Sequence, residues 1–189
     1  NKGDTDTLIK KWVDAITRDF AAGKSRDLEA DMQAMTREFA SIPMHKDKRP
    51  RVGIVGEILL CYHPDANRHI ADLTRQEGGE PVLADMVDFF LYCFSDPIYR
   101  WQRLGGQALP AFLGWYFIQK FDHMRNALRR ALAGSPFPQV AKFKDLFASA
   151  GKLISPGYQA GEGWLLSAEL LKFISQGTTN ALCLQPFGC

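Results

Sequence analysis

The chain is 189 residues long, enough for one sizeable domain that buries roughly 70% of its unfolded surface. Apolar residues make up 46% and charged residues 23%, the balance of a folded protein that works in water. A net charge of +2 excludes a strongly basic nucleic-acid binder. The most apolar stretch, Ala108 to Ile118, holds Pro110 and Gly114 and falls far short of the ~20 residues a membrane span needs. Neither nucleic acid nor a membrane is expected as a partner.

In chain order, the first 40 residues read as a helical hairpin. Leu8, Trp12, Ile16 and Phe20 recur at helical spacing, and so do Leu28, Met32, Met35 and Phe39. Gly23 stops the first helix, and Ser25 or Asp27 supplies a cap for the second. Asn1 to Thr7 is polar and shows no signal-peptide pattern. The basic run His45 to Arg51 reads as a solvated linker. The expected boundary places the hairpin at 1–48, packed on an α/β domain at 49–189.

Arg51 to Gly56 is a short apolar run without alternation, the pattern of a strand covered on both faces. Pro64 and Asp65 are expected to open a helix running to Gln76. Gly78 and Gly79 stop it, and Pro81 to Ala84 forms a second strand. Such a strand–helix–strand unit is almost always parallel and right-handed. Val87 to Phe94 is an apolar segment, and Asp96-Pro97 is expected to restart a helix ending at Leu104. A longer helix covers Gln107 to Ala133, with a bend expected at Pro110. Helices over Val140 to Ala150 and after Gly163 follow, then a third strand at Asn180 to Leu184. The fold class is α/β: a small, mostly parallel, Rossmann-like sheet of three to four strands among many helices.

Cysteines number four, Cys61, Cys93, Cys183 and Cys189, and no CxxC pair joins them. The first three lie among apolar residues, where a thiol behaves as a small hydrophobe. That usage fits a reducing cytoplasm. Four histidines are scattered without a metal-binding spacing, and neither GxGxxG nor a Walker lysine motif is present.

In open α/β sheets, ligands gather at the carboxyl ends of the strands. That rule singles out Glu57, Asp85 and the segment Gln185 to Cys189. The helix start at Gly161-Glu162-Gly163 adds backbone N–H groups beside this edge, an expected anion site. Cys189 is either a thiol on a Pro-Phe-Gly turn or a metal thiolate. An iron–sulfur cluster takes about four cysteine ligands, so in the second case its companions lie elsewhere.

Four stretches, "VGIVGEILLCYHPDANRHI", "DMVDFFLY", "GEGWLLSAELLKFI" and "CLQPFGC", carry a resemblance. Their content and order resemble the component related to 2-hydroxyacyl-CoA (2-hydroxyglutaryl-CoA) dehydratases, often fused behind a BadF/BcrA-type ATPase activator (a CoA-substrate-specific enzyme activase). The resemblance covers about half the chain and leaves the first hairpin without a signature. It implies an ATP-driven, low-potential electron-transfer system of anaerobic metabolism, with Cys189 as a ligand of a [4Fe–4S]-type cluster. In that family the segment continues past the cysteine, so the chain is expected to be a stretch of a longer parent, cut at the QPFGC motif. No cofactor and no activity are expected of this stretch alone.

The resemblance further implies that Glu57, Asn67, Glu162, Trp164 and Gln185 lie near the cluster or an acyl-CoA. Other roles stay open: Glu57 capping backbone N–H groups, Asn67 bonding a neighbouring loop, Trp164 filling the core. The implied partners are the remainder of the parent polypeptide, the ATPase activator and an acyl-CoA. Two further readings stand beside this one. The first is a dehydratase subunit whose strand-end edge binds an acyl-CoA, and the second is a domain that docks the activator through its aromatic helices.

Overall fold

A computed structural model describes residues 3–43 and 48–186. The chain divides into two compact units. One is Asn1–Lys46 with Lys120–Val140, and the other is Asp47–Gln119 with Ala141–Cys189.

The first unit contains the hairpin, α1 (Asp4–Ala21) and α2 (Leu28–Ala40), and the last turns of α6 (Ala108–Leu132). Asp27 caps α2, its Oδ1 accepting from the Glu29 and Ala30 amides at 3.0 and 3.1 Å. Leu8 and Trp12 are half-buried. Ile16 and Phe20, expected on the same stripe, are exposed at 39% and 85%. The unit has few buried side chains and is fastened largely by polar contacts. The Trp12 indole N–H and Lys11 Nζ both donate to the Glu38 carboxylate, at 2.9 and 2.7 Å. Arg26 forks onto Asp31 at 2.6 and 2.7 Å and also reaches Asp19. Arg130 forks onto Glu29 at 2.7 and 2.8 Å.

The second unit is built on three parallel strands, β1 (Arg51–Gly56), β2 (Glu80–Leu83) and β3 (Asn180–Leu184), in the order β2-β1-β3. The middle strand is the most apolar for a physical reason: both of its faces are covered, and Ile54 and Val55 have no exposed surface. α8 (Gly163–Ser175) packs on β1 and on α7 (Phe143–Ala150). Trp164, Leu165, Ala168 and Phe173 of α8 join Phe143 and Leu146 of α7 and Leu91 of α5 (Met86–Leu104) in the core.

Three local features differ from what the sequence leads one to expect. A five-residue helix α3 (Ile58–Tyr62) follows β1 directly. The next helix, α4, starts at Ile70 and ends at Gln76, not at Pro64, because Arg68 and His69 take left-handed backbone angles (φ 54° and 55°) that no right-handed helix admits. The third concerns α5, which is one helix running through Pro97. Proline removes one amide from the ladder at a cost of about 3 kcal/mol, and burial of Leu91, Tyr92 and Ser95 on the same helix holds it together. Pro110 falls in the first turn of α6, where a missing amide is harmless.

Candidate functional site at the carboxyl edge of the sheet

β1 closes on β3 at Gly56. Its φ is 139°, and a Cβ there would strike the Leu184 carbonyl, so only glycine lets the two strands meet. The next amide, on Glu57, donates to Leu184 O at 2.9 Å. Glu57 then turns its carboxylate onto α3, where Oε2 accepts from the Leu60 amide at 3.0 Å. The Ile58 amide donates to Glu162 Oε1, at the start of α8, at 3.1 Å. One residue pair therefore links the GEI turn to the GEGW helix start, and the turn is linked in the same place to the strand that leads to Gln185.

The GEGW turn has its own supports. Gly163 (φ 43°) lies so close to the Tyr158 carbonyl that a Cβ would collide with it. The Tyr92 hydroxyl, hydrogen-bonded to the Gln159 and Gly161 carbonyls at 2.8 and 2.9 Å, holds the loop from below. On the other side Tyr62 donates to Ala84 O at 2.6 Å, fixing α3 to the end of β2. Asp85 Oδ1 accepts from the Val87 amide at 3.0 Å and caps α5. A shallow hollow of about 360 Å³, lined by Ile58, Leu59, Tyr62, His63 and Pro64, opens beside α3.

Glu57 and Glu162 thus meet at the edge through the Ile58 turn. Asn67 stands behind it, its Nδ2 donating to Leu60 O at 2.8 Å and its Oδ1 accepting from the Ile70 amide at 3.2 Å. Its contacts tie α3 to α4. Trp164 is fully buried against Tyr92, Phe143 and Phe147, with ring centroids 5.1 to 5.9 Å apart, so its ring touches core side chains. Gln185 is exposed beyond β3. Cys189 lies outside the described residues.

The expected anion site at Gly161-Glu162-Gly163 is overturned. The amides of Gly163, Trp164 and Leu165 are already spent on the carbonyls of Ala160, Tyr158 and Glu162. The Glu162 and Glu57 carboxylates also stand at the same place, which repels a second anion.

Sequence reasoning missed a buried polar group beneath this edge. Asp88 of α5 and Glu169 of α8 are 1% and 6% exposed, and Lys172 Nζ lies 3.1 Å from Asp88 Oδ2. Burial, with Asp88 next, pushes the Glu169 carboxyl up to about 8. The signal was there: each acid interrupts an otherwise apolar helical stretch, "MVDFFLY" and "LLSAELLKF". Burial and the negative charge of Glu169, Glu162 and Glu57 push the Cys61 thiol up to about 12. Burial likewise raises the Tyr62 hydroxyl above its ordinary range.

These surroundings do not fit an iron–sulfur cluster on the described residues alone. A cluster takes about four cysteine ligands, and the described residues hold three, of which Cys61 is buried. Cys93 and Cys183 are exposed on different elements, α5 and β3. Among the described residues no group of three or more His, Cys, Asp or Glu side chains is placed to hold a metal ion.

Fold and edge define an α/β protein with a small parallel sheet and an acidic, loop-crowned carboxyl end. The chain matches no protein-family model, no curated protein and no solved structure. Among the described residues no helix is long and apolar enough to cross a membrane.

Proposed function

We propose that this chain is part of a dehydratase-related electron-transfer protein, and that it works at the carboxyl edge of its sheet. The observation that carries the reading is convergence. Three motifs far apart in sequence, at Glu57, Glu162 and the strand ending in Leu184, are joined there by two hydrogen bonds, Glu57 N to Leu184 O and Ile58 N to Glu162 Oε1. In open α/β sheets this carboxyl edge is where ligands gather. In this reading Cys189, four residues past Gln185, is a cluster ligand, and further thiolates come from residues other than those described. A cluster so held would carry one electron at low potential. The electron is supplied by an ATP-hydrolysing activator of the BadF/BcrA type, and a 2-hydroxyacyl-CoA thioester lies downstream. A reducing, cytoplasmic setting belongs to the same proposal.

A second reading is favoured by one specific observation. The first half of α6 exposes Leu109, Phe112, Leu113, Trp115, Tyr116 and Phe117, a surface suited to docking a partner. In that case the aromatic helices bind the activator and Cys189 is incidental.

The test is ATP-dependent reduction of the longest natural polypeptide containing this chain, mixed anaerobically with such an activator and followed by EPR. The proposal predicts that Cys189→Ala abolishes the reducible signal, while Phe112→Ala with Trp115→Ala leaves it. Loss of reduction only in the α6 variant supports docking. A reducible signal unchanged by Cys189→Ala contradicts the proposal.

A further inference from the structure

The buried group under the edge points to a device independent of any cofactor. Glu169 and Lys172 stand one turn apart on α8, and the Lys172 ammonium meets the Asp88 carboxylate of α5 at 3.1 Å. The Asp88 and Lys172 side chains are 2% and 14% exposed, and Glu169 as a residue is 6% exposed. The charged groups facing Glu169 are Asp88 and Asp85 from α5 and its cap, and Lys172 and Glu162 from α8 and its first turn. From α3 it is faced by the Cys61 thiol and the Tyr62 hydroxyl. The buried side chains of α7 and β1, Phe143, Leu146, Ile54 and Val55, are apolar.

Charge counting decides the protonation state. Among the described residues Asp88, Asp85 and Glu162 act against an anion at Glu169 and Lys172 favours one, so ionising Glu169 would add uncompensated charge in a place closed to water. The carboxyl is therefore kept neutral while α8 lies shut on α5. Opening the seam lets water reach it, and its proton then leaves at an ordinary carboxylic pKa.

We propose that Glu169 is a proton-operated latch. Protonated, it keeps α8 closed on α5. As pH rises the opened seam gains, and with it the form in which Glu162 releases the Ile58 amide at the sheet edge. The coupling follows from helix geometry. Glu162, the residue at the N-terminal end of α8, lies seven residues and two turns before Glu169, so a tilt of the helix at Glu169 is felt at its first turn. Between pH 5 and 8 the closed form holds a proton that the open form lacks. Each pH unit thus favours opening about tenfold, and the gain levels off above pH 8. The edge is consequently tight in mild acid and loosest in mild base.

Hydrogen exchange of the full chain from pH 5.5 to 9, corrected for intrinsic exchange, measures the latch. Opening of peptides covering 57–62 and 160–172 is expected to rise about tenfold per pH unit up to pH 8 and then stay level. In Glu169→Gln it should be flat across the range, and peptides of α1 and α2 should not follow it. An equal slope in Glu169→Gln overturns the latch, as does a slope shared by α1 and α2, which reports global unfolding. Should Glu169→Gln fail to fold, a carbon-13 carboxyl titration of wild type and Asp88→Asn decides. A Glu169 signal that titrates near 8 and moves acidward by about one unit or more in Asp88→Asn supports the latch, since removing the adjacent anion eases ionisation. Titration below 5, or no shift in Asp88→Asn, overturns it.

Discussion

Gly56 is the residue on which the carboxyl edge closes. Its positive φ and its approach to the Leu184 carbonyl leave no room for a Cβ, so Gly56→Ala is expected to cost about 3 kcal/mol or more. Urea unfolding of the two proteins checks this. Asn67 is a different case. It satisfies one carbonyl and one amide between α3 and α4, and Asn67→Ala should cost about 1–3 kcal/mol. If Asn67 also meets a ligand, activity will fall further than that stability loss explains. The cysteines give a third test at this scale. Cys61 is buried with its thiol pushed up to about 12, and Cys183 is exposed. Iodoacetamide at pH 6.5, on the closed side of the latch, should modify Cys183 in the folded chain and spare Cys61 until denaturant is added, as read by peptide mass mapping. Rapid Cys61 labelling at that pH would show that the edge is not closed.

At the scale of elements, α2 depends on its cap more than on its core, since it buries no side chain completely. Asp27 satisfies two of its orphan amides, and Asp27→Ala should cost about 1 kcal/mol, visible as lost protection in the first turn of α2. Elements with strong local signals were legible in the sequence. The unbroken apolar run of β1, the glycine stops and the Asp27 cap all act within a few residues. What escaped was set by distant partners. The turn at Pro64 to His69 is held by Asn67 reaching both ways, which no periodicity reveals. The unbroken α5 was hidden because Pro97 is a strong local breaker and the packing that overrides it is tertiary. The inward stripe of α1 is narrower than its periodicity suggests. Half of that stripe, Leu8 and Trp12, is half-buried, and the Trp12 indole is anchored by Glu38, while Phe20 stays in water.

For the molecule as a whole, the two units respond to pH in opposite directions. In the first, hydrogen bonds from Arg130, Arg26 and Lys11 hold the Glu29, Asp31 and Glu38 carboxyls below their ordinary values. That stabilisation is present above the unfolded values, near 4, and is lost as pH falls through the lowered ones. In the second, the Glu169 carboxyl is raised from 4.5 to about 8. Its stabilisation is full below 4.5 and is lost as pH rises to 8. Hydrogen exchange should show the first unit loosening in acid and the second between pH 5 and 8. The same contrast explains what was legible in the candidate site. Strand ends and motif residues such as Glu57 and Glu162 are marked by position, so the carboxyl edge could be anticipated. The buried carboxyl groups beneath it, Asp88 and Glu169, are brought together only by the packing of α5 on α8. The central claim is that this edge belongs to an iron–sulfur site, and anaerobic reconstitution of the longest natural polypeptide, wild type beside Cys189→Ala, tests it most directly. The account predicts about four irons per cluster and an EPR signal on reduction in the wild type, with iron lost or the signal altered in the variant. An unchanged cluster, or none in either protein, would contradict it.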